Sequence, residues 1–170
     1  MKVLGISGRK LSGKDTAATA IIAAVPGAVR RGFADALKDE VAKALGVSVE
    51  YVEGHKNQLR GLLQHWGTEW RRSLCDPDYW VLRMREFLST QSATPLVVIP
   101  DVRFENEAAL VKEFGGLVLR VVNPGLDFDS DHHTSETALV DYPFDARIVN
   151  DCGLVEYERR CRDWWAAQAT

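Results

Sequence analysis

The sequence predicts a three-layer α/β/α fold, in which a parallel sheet of about five strands is covered by helices on both faces. Three observations favour it. Apolar strand-like runs alternate with helical segments along the chain. The run Leu-Val-Val-Ile between Pro95 and Pro100 is apolar throughout, which is typical of a parallel strand buried on both faces. A glycine-rich loop follows the first strand and leads directly into a helix.

The predicted strands are short apolar runs that end in turn or polar residues: 2–7, 28–33, 95–100, 117–122 and 146–149. The predicted helices are bounded by capping residues, glycine or proline: 14–24, 35–45, 57–89, 104–114 and a final segment from 154. Pro26-Gly27, Gly46 and Gly115-Gly116 stop three of these helices. Breaks inside 57–89 are expected near Gly67 and at Asp76-Pro77. The final helix has an apolar stripe that we interpret as core packing: Leu154, Tyr157, Cys161, Trp164 and Trp165.

Length, composition and charge exclude some classes of function. The chain has 170 residues, 46% apolar and 26% charged, as expected for one ordinary globular domain over 1–170. A net charge of −3 argues against a general nucleic-acid-binding or membrane-surface protein. Cys75, Cys152 and Cys161 lack metal-ligand spacing and are expected to be reduced thiols of a cytoplasmic protein. Neither a signal peptide nor a membrane span is predicted.

The glycine-rich loop after the first strand carries the strongest functional signal. The pattern G-x-x-x-x-G-K begins at Gly8, and a strand, a loop and a helix follow one another as a phosphate-binding loop requires. Gly8 and Gly13 allow backbone N–H groups to point at phosphate oxygens, and Lys14 is expected to reach the β- and γ-phosphates of a nucleotide. The Ser or Thr that usually ligates Mg²⁺ is replaced by Asp15, with a hydroxyl one position later at Thr16. The alternative is a glycine-rich surface turn, which this context disfavours.

Polar residues at the ends of two further strands are candidate ligand contacts, because ligands bind at the carboxyl ends of parallel strands. Asp35 and Lys38 follow the second strand and share a helical face. The alternative is that Asp35 caps the helix and Lys38 is solvated. Asp101 follows the central strand, where a carboxylate can hold Mg²⁺, and Arg103 offers a donor fork for phosphate. The alternative is that Asp101 caps the next helix and Arg103 pairs with Glu107.

The segment 57–90 combines polar, aromatic and basic side chains suited to a nucleotide. Polar groups that can contact a base are Gln64, Thr68 and Glu69. Aromatic rings that can stack on a base are Trp66, Trp70 and Trp80. Arginines that can bind a phosphate are Arg60, Arg71 and Arg72. An amphipathic helix with surface arginines is the alternative, and His65 is expected to be a surface or packing residue.

Residues 123–140 are predicted to form a polar, lid-like loop. The stretch from Asp127 to Glu136 is rich in Asp and His, but its spacing does not fit a calcium-binding loop. We therefore interpret it as a lid or a substrate-side loop. Arg120 ends the strand before it and can point to a phosphate, and Asn150 ends the last strand.

Five pieces of the sequence together resemble the deoxynucleoside monophosphate kinases of bacteriophages, within the P-loop nucleoside monophosphate kinase fold. They are Ser12-Gly13-Lys14-Asp15-Thr16, Phe33-Ala34-Asp35-x-Leu37-Lys38, Arg60-x-Leu62-Leu63-Gln64-x-x-Gly67-Thr68-Glu69-x-x-Arg72, Asp101-Val102-Arg103-Phe104-x-Asn106-Glu107 and His133-x-Ser135-Glu136. The Gly-Lys-Asp loop and the Asp-Val-Arg turn are also similar to those of animal-type phosphomevalonate kinases.

The resemblance implies transfer of the ATP γ-phosphate to the 5′-phosphate of a deoxynucleoside monophosphate, with Mg²⁺, in a family where homodimers are common. For this reaction we predict these ATP contacts: Gly8, Arg9, Lys10, Ser12, Gly13, Lys14, Asp15, Thr16, Arg120 and Asn150, the last one to the adenine. We predict these acceptor contacts: Asp35, Lys38, Arg60, Gln64, Thr68, Glu69, Arg72, Trp80, Asp101, Arg103 and Glu136. Lys14, Lys10 and Arg103 would be catalytic, and Asp15 and Asp101 would hold Mg²⁺ through water.

Two other classes of function fit the same loop. One is another small-molecule kinase of this fold, acting on phosphomevalonate, dephospho-coenzyme A or AMP. The base-reading composition of 57–90 favours a nucleotide over mevalonate. The other is a non-catalytic nucleotide-binding protein, which needs only one phosphate site. Arginines that would serve a second phosphate argue against it: Arg60, Arg72, Arg103 and Arg120.

Overall fold

The computed structural model of the protein describes residues 1–126, 139 and 141–169. They fall into two compact units: unit 1 comprises 1–31 and the described residues of 91–170, and unit 2 comprises 32–90. Within the described residues, no helix is both long enough and apolar enough to cross a membrane.

Unit 1 contains the sheet, and the described strands are all parallel. They are β1 (Lys2–Ser7), β2 (Val29–Arg30), β3 (Leu96–Ile99), β4 (Leu117–Val122) and β5 (Ala146–Val149). Their order is β2-β3-β1-β4-β5, which confirms the predicted parallel α/β fold. Gly5 pairs with Ile99 on one side of β1, and Ser7 pairs with Arg120 on the other. The carboxyl ends of the three central strands therefore meet at one edge.

The helices, in chain order, are α1 (Lys14–Ala23), α2 (Phe33–Leu45), α3 (Val49–Gly54), α4 (Arg60–Gln64), α5 (Tyr79–Ser89), α6 (Glu105–Glu113) and α7 (Leu154–Ala169). A π-helical segment, His65–Cys75, lies between α4 and α5 in the chain. The helices α2 to α5 and the π-helical segment belong to unit 2.

Both faces of the sheet in unit 1 are covered by helices, as predicted. On one face, α1 and α7 pack against alternate strand residues in a buried core that includes Leu4, Ile21 and Trp165. On the other face, α6 lies so close that a Cβ at Gly5 would be 3.0 Å from a Val111 methyl carbon. The predicted stripe on α7 is buried at Tyr157, Cys161 and Trp165, partly buried at Trp164, and exposed at Leu154.

The second predicted strand, 28–33, is shorter than expected because helix α2 begins at Phe33. Gly32 has extended backbone angles and is the N-cap, and its N–H donates to Asp35 Oδ2 at 2.7 Å. Asp35 therefore caps the helix start with its side chain from the third helical position, and only its predicted place as the first residue of the helix boundary is wrong, because Gly32 is the N-cap.

Two other corrections concern unit 2. Helix α3 was not predicted, although Ser48 caps it by accepting a hydrogen bond from the Tyr51 N–H at 3.1 Å. The predicted break near Gly67 is wrong, because the chain continues from α4 through Gly67 in π-helical form. A Cβ at Gly67 would be 3.0 Å from a Leu37 methyl carbon, so close packing explains this glycine. The predicted break at Asp76-Pro77 is confirmed.

Candidate functional site

The predicted phosphate-binding loop joins β1 to α1 in unit 1, and its glycines at positions 8 and 13 leave no room for a side chain. A Cβ at Gly8 would be 2.6 Å from the carbonyl oxygen of Val121. Gly13 has a φ of 102°, and a Cβ there would be 2.6 Å from Asn150 Nδ2. The loop backbone thus takes a path that only glycine permits at these positions. The N-terminus of α1 follows directly, where backbone N–H groups favour an anion.

Lys14 and Ser12 supply the polar groups inside this loop. Lys14 is only 8% exposed, and its Nζ donates to the carbonyl oxygens of Gly8 at 2.6 Å and Arg9 at 2.5 Å. Ser12 Oγ is buried and has no hydrogen-bond partner among the described residues. A buried hydroxyl without a partner is energetically unfavourable, so an oxyanion bound at the loop would satisfy it.

Two side chains hold the loop backbone from the C-terminal part of unit 1. Asn150 Nδ2 donates to the carbonyl oxygen of Ser12 at 3.0 Å, and Tyr157 Oη donates to that of Gly13 at 3.2 Å. Asn150 was predicted to contact adenine, and the structure gives it this contact with the loop. Burial raises the pKa of Tyr157, so its hydroxyl stays a donor. Sequence analysis missed this role, although a tyrosine in a buried stripe usually has a partner for its hydroxyl.

Oxygen ligands suited to Mg²⁺ are present near the loop. Asp15 is exposed on the first turn of α1, where its Oδ1 accepts from Arg30 Nη2 at 3.1 Å, and Thr16 is next to it. Asp101 follows β3 at the same sheet edge. The part of the chain that the structure describes holds no cluster of three or more His, Cys, Asp or Glu side chains suited to a metal. This donor set fits Mg²⁺, which usually has few protein ligands and several phosphate and water ligands.

The turn after β3 is fixed from two sides. The Val102 N–H donates to the carbonyl oxygen of Ile6 at 3.1 Å, which joins the turn to β1. Glu107 is buried, and its Oε2 accepts from the backbone N–H groups of Arg103 at 2.7 Å and Phe104 at 3.2 Å. The alternative in which Asp101 caps the next helix is wrong, because Phe104 is the N-cap of α6.

Arg120 also lies at this edge of unit 1. Its Nη1 donates to Ser7 Oγ at 3.1 Å, and its Cζ is 5.3 Å from the centre of the Phe144 ring. Ser7 is buried at the end of β1, directly before the loop. Unit 1 therefore gathers most of the predicted ATP contacts, together with Asp101 and Arg103, around one sheet edge. Glu136 and most of the predicted lid lie outside the described residues.

In unit 2, Asp35 and Lys38 share a helical face, as their spacing predicted, and they also form an ion pair. Lys38 Nζ is 3.1 Å from Asp35 Oδ1 and 2.8 Å from Glu53 Oε2. Burial acts to lower the pKa of Lys38, but the hydrogen bond to Glu53 and the charge of Asp35 outweigh it and raise that pKa. Hydrogen bonds from Lys38 and then Lys56 lower the pKa of Glu53 to about 2. Glu53 was missed because it lies on the unpredicted helix α3.

The remaining predicted acceptor residues lie along α4, the π-helical segment and α5. Arg60 and Glu69 are exposed, and Gln64, Thr68 and Arg72 are half-buried. His65 Nδ1 is 2.5 Å from Glu69 Oε2. Trp80 is buried on α5, and its Nε1 donates to the carbonyl oxygen of Gly67 at 2.9 Å. That placement favours packing over the predicted contact of Trp80 with a ligand.

Comparison with known proteins adds independent information. The profile of a protein family described as deoxynucleotide monophosphate kinase matches residues 49–160. A protein of Acanthamoeba polyphaga mimivirus named "Putative deoxynucleotide monophosphate kinase" is 32% identical over 180 residues, and the match covers 92% of this chain and 92% of that protein. The family match begins after the phosphate-binding loop. It therefore rests on other parts of the molecule, including the π-helical segment and the turn after β3.

Proposed function

The chain belongs to the deoxynucleotide monophosphate kinase family, and we propose that it transfers the γ-phosphoryl group of ATP, with Mg²⁺, to the 5′-phosphate of its substrate. Family membership makes the protein a phosphotransferase that phosphorylates deoxynucleoside monophosphates to diphosphates. The observation that supports ATP as the donor is the phosphate-binding loop, with Lys14 and the unpartnered Ser12 hydroxyl buried inside it.

Lys14 has the central role in this proposal. Its ammonium group now contacts two loop carbonyl oxygens. Phosphate oxygens carry more negative charge than carbonyl oxygens, so we expect Lys14 to contact the β- and γ-phosphates when ATP binds. The acceptor phosphate is itself a nucleophile at neutral pH, so the reaction needs no general base. Charge neutralisation and alignment would supply most of the rate enhancement.

Other groups in unit 1 have supporting roles in the proposal. Arg9 or Lys10 would contact the transferred group, and Arg103 and Arg120 would neutralise phosphate charge. Asp15 and Asp101 would hold Mg²⁺ through water, with Thr16 near the metal or the α-phosphate. When bound, Mg²⁺ would withdraw charge from the phosphate oxygens.

Unit 2 would bind the acceptor nucleotide. We assign this role to Asp35, Lys38, Arg60, Gln64, Thr68, Glu69 and Arg72. Lys38 is already paired with two carboxylates, so a phosphate would compete with Asp35 and Glu53 for its ammonium group. The half-buried polar side chains of the π-helical segment are suited to hydrogen bonds with a base.

A coupled ADP-release assay tests the proposal. Each deoxynucleoside and ribonucleoside monophosphate is supplied with ATP and Mg²⁺, and phosphomevalonate, dephospho-coenzyme A and a reaction without acceptor are controls. We expect ADP release with at least one deoxynucleoside monophosphate, and its loss when EDTA is added. Turnover with phosphomevalonate alone would overturn the assignment of the acceptor. ADP release that is independent of any acceptor would indicate hydrolysis instead of transfer.

A further inference from the structure

The segment His65–Cys75, which carries several predicted binding residues, is wound as a π-helix instead of an α-helix. The Asp76 N–H donates to the carbonyl oxygen of Arg71 at 2.9 Å, five positions earlier. Ser73 Oγ donates to the carbonyl oxygen of Thr68 at 3.1 Å, again five positions earlier. π-Helical turns are rare and frequently lie at functional sites, so we expect specific contacts to stabilise this one.

Glu40, on α2 of the same unit, contacts the segment in a way that depends on the winding. Its Oε2 accepts from Trp66 Nε1 at 3.1 Å and from Arg71 Nε at 2.9 Å. Trp66 and Arg71 are five positions apart. In an α-helix, neighbours on one face are three or four positions apart, and residues five apart diverge. With i→i+5 winding they come onto one face, and both reach the same carboxylate oxygen.

Further contacts surround Glu40 and Arg71. The side chains of Glu40 and Arg71 are both 23% exposed, and Glu40 Oε1 also accepts a hydrogen bond from the Tyr79 hydroxyl. The Arg71 guanidinium lies 4.5 Å from the centre of the Trp70 ring and 4.7 Å from that of Tyr79. Return to an α-helix would separate Trp66 from Arg71 and leave one half-buried polar group without its partner.

The carboxylate stays charged in this setting. Burial acts to raise the pKa of Glu40, but hydrogen bonds from Tyr79 and Trp66 and the charge of Arg71 outweigh it and lower that pKa. An ionised acceptor makes stronger hydrogen bonds than a neutral one, which adds to the preference for the observed winding.

We propose that Glu40 is a positioning residue that holds Trp66 and Arg71 together and thereby fixes the π-helical winding. The winding in turn fixes the placement of three side chains toward the acceptor nucleotide: Thr68, Glu69 and Arg72. The last step rests on the proposed function of these three residues. Glu40 itself is not assigned a contact with the nucleotide.

The test compares Glu40→Gln with Glu86→Gln. Glutamine keeps the size of the side chain but removes the charge. Glu86 is an exposed glutamate of the same unit whose Oε2 is 3.2 Å from Arg83 Nη1, so it serves as the matched control. For each variant, hydrogen exchange is measured at the amides of 65–75 and of 14–23. The KM for the acceptor and the KM for ATP are measured in parallel.

We expect Glu40→Gln to accelerate exchange in 65–75 while 14–23 stays protected, and to raise the KM for the acceptor about tenfold with little change in the KM for ATP. Glu86→Gln is expected to leave all of these values unchanged. Unchanged exchange in 65–75, equal acceleration in both stretches, or an equal change in both KM values would overturn the proposal. Exchange requires no turnover, so failure of the proposed function is recognised separately, as absent activity of the wild type.

A second pair of variants keeps the proposal testable if Glu40→Gln does not fold. Trp66→Phe removes a donor to Glu40 from the π-helical segment, and Tyr79→Phe removes one from α5. We expect Trp66→Phe to accelerate exchange in 65–75 several-fold more than Tyr79→Phe does. Equal effects of the two variants on 65–75 would mean that Glu40 only adds general stability, and would overturn the proposal.

Discussion

The phosphate-binding loop of unit 1 and the π-helical segment of unit 2 are held in different ways. Lys14, Asn150 and Tyr157 all donate to backbone carbonyl oxygens of the loop. The π-helical segment has such a contact from Trp80 Nε1 to the Gly67 carbonyl oxygen, and is otherwise held by side-chain contacts with Glu40. A loop held through its backbone tolerates many side chains but needs glycine where space is lacking. A segment held through side chains depends on a few specific partners, so substitutions should affect the two regions differently.

The largest expected effect is on activity, from a substitution in the loop. Lys14→Ala removes the ammonium group assigned to the transferred phosphate. We expect turnover to fall ~10²–10³-fold, the usual cost of losing one such contact with a developing charge. The protein should remain folded in a thermal unfolding measurement, because the contacts of Asn150 and Tyr157 with the loop remain, but its stability should fall somewhat because two loop carbonyl oxygens lose Lys14 as a donor. Near-normal turnover in a steady-state assay would contradict the role of Lys14.

A pair of glycine substitutions tests whether the loop is limited by space. Gly13→Ala places a methyl group at a φ of 102° and 2.6 Å from Asn150 Nδ2, so we expect a loss of about 2–3 kcal/mol in the free energy of unfolding. Gly46 in unit 2 has a φ of 68° but no atom within 4 Å of an added Cβ. Gly46→Ala should therefore cost only about 1 kcal/mol. Urea unfolding measures the free energy of unfolding of both variants. Equal decreases would show that crowding at Gly13 is unimportant.

Tyr157→Phe tests the backbone contact directly. The substitution keeps the ring in the core and removes the hydrogen bond to the Gly13 carbonyl oxygen, which typically contributes about 1 kcal/mol. We expect the KM for ATP to rise several-fold and the KM for the acceptor to stay the same. Tyr51→Phe, at an exposed position of unit 2, is the control. A rise in both KM values would argue that Tyr157 acts on stability alone.

The smallest expected effect is a pH dependence in unit 2. Because the pKa of Glu53 is about 2 in the folded protein and near 4.5 ordinarily, its contribution to stability is present above about pH 4.5 and is lost as the pH falls toward 2. Glu53 is 45% exposed, so the contribution should be below about 1 kcal/mol. Thermal unfolding of the wild type and Glu53→Gln should therefore converge at low pH. Two curves that stay parallel from pH 6 to pH 3 would contradict this.

Features set by neighbouring residues in the sequence could be predicted. The glycines and Lys14 indicate a tight loop between a strand and a helix within a few positions, and the apolar run before Pro100 indicates a buried parallel strand. The three-residue spacing of Asp35 and Lys38 likewise predicts that they share a helical face. Local stereochemistry and periodicity are sufficient in these cases.

Features that depend on distant partners could not be predicted. Glu40 meets Trp66, Arg71 and Tyr79 across 26, 31 and 39 positions, and no local pattern marks that carboxylate. Asn150 contacts the loop across 138 positions. Its position at the end of a strand suggested contact with a ligand, but it gave no indication of the hydrogen bond to the Ser12 carbonyl oxygen. Gly67 suggests a helix break when only the sequence is considered. The structure explains this glycine by its close packing against Leu37, 30 positions earlier, which no local pattern indicates.

The central place of β1 in the sheet has a consequence for how the protein is made. Lys2 pairs with Leu96 of β3, and Leu4 pairs with Leu117 of β4, so both neighbours of β1 are synthesised much later. Unit 2 is one continuous stretch, 32–90, that leaves the ribosome before either of them. Contacts between residues that are far apart in the chain form slowly. The contacts within unit 2 join residues that are closer in the chain than the strand pairs of β1, so we expect them to form earlier. The loop that follows β1 is thus translated before the strands that flank β1, and it acquires its final shape only after they have been made.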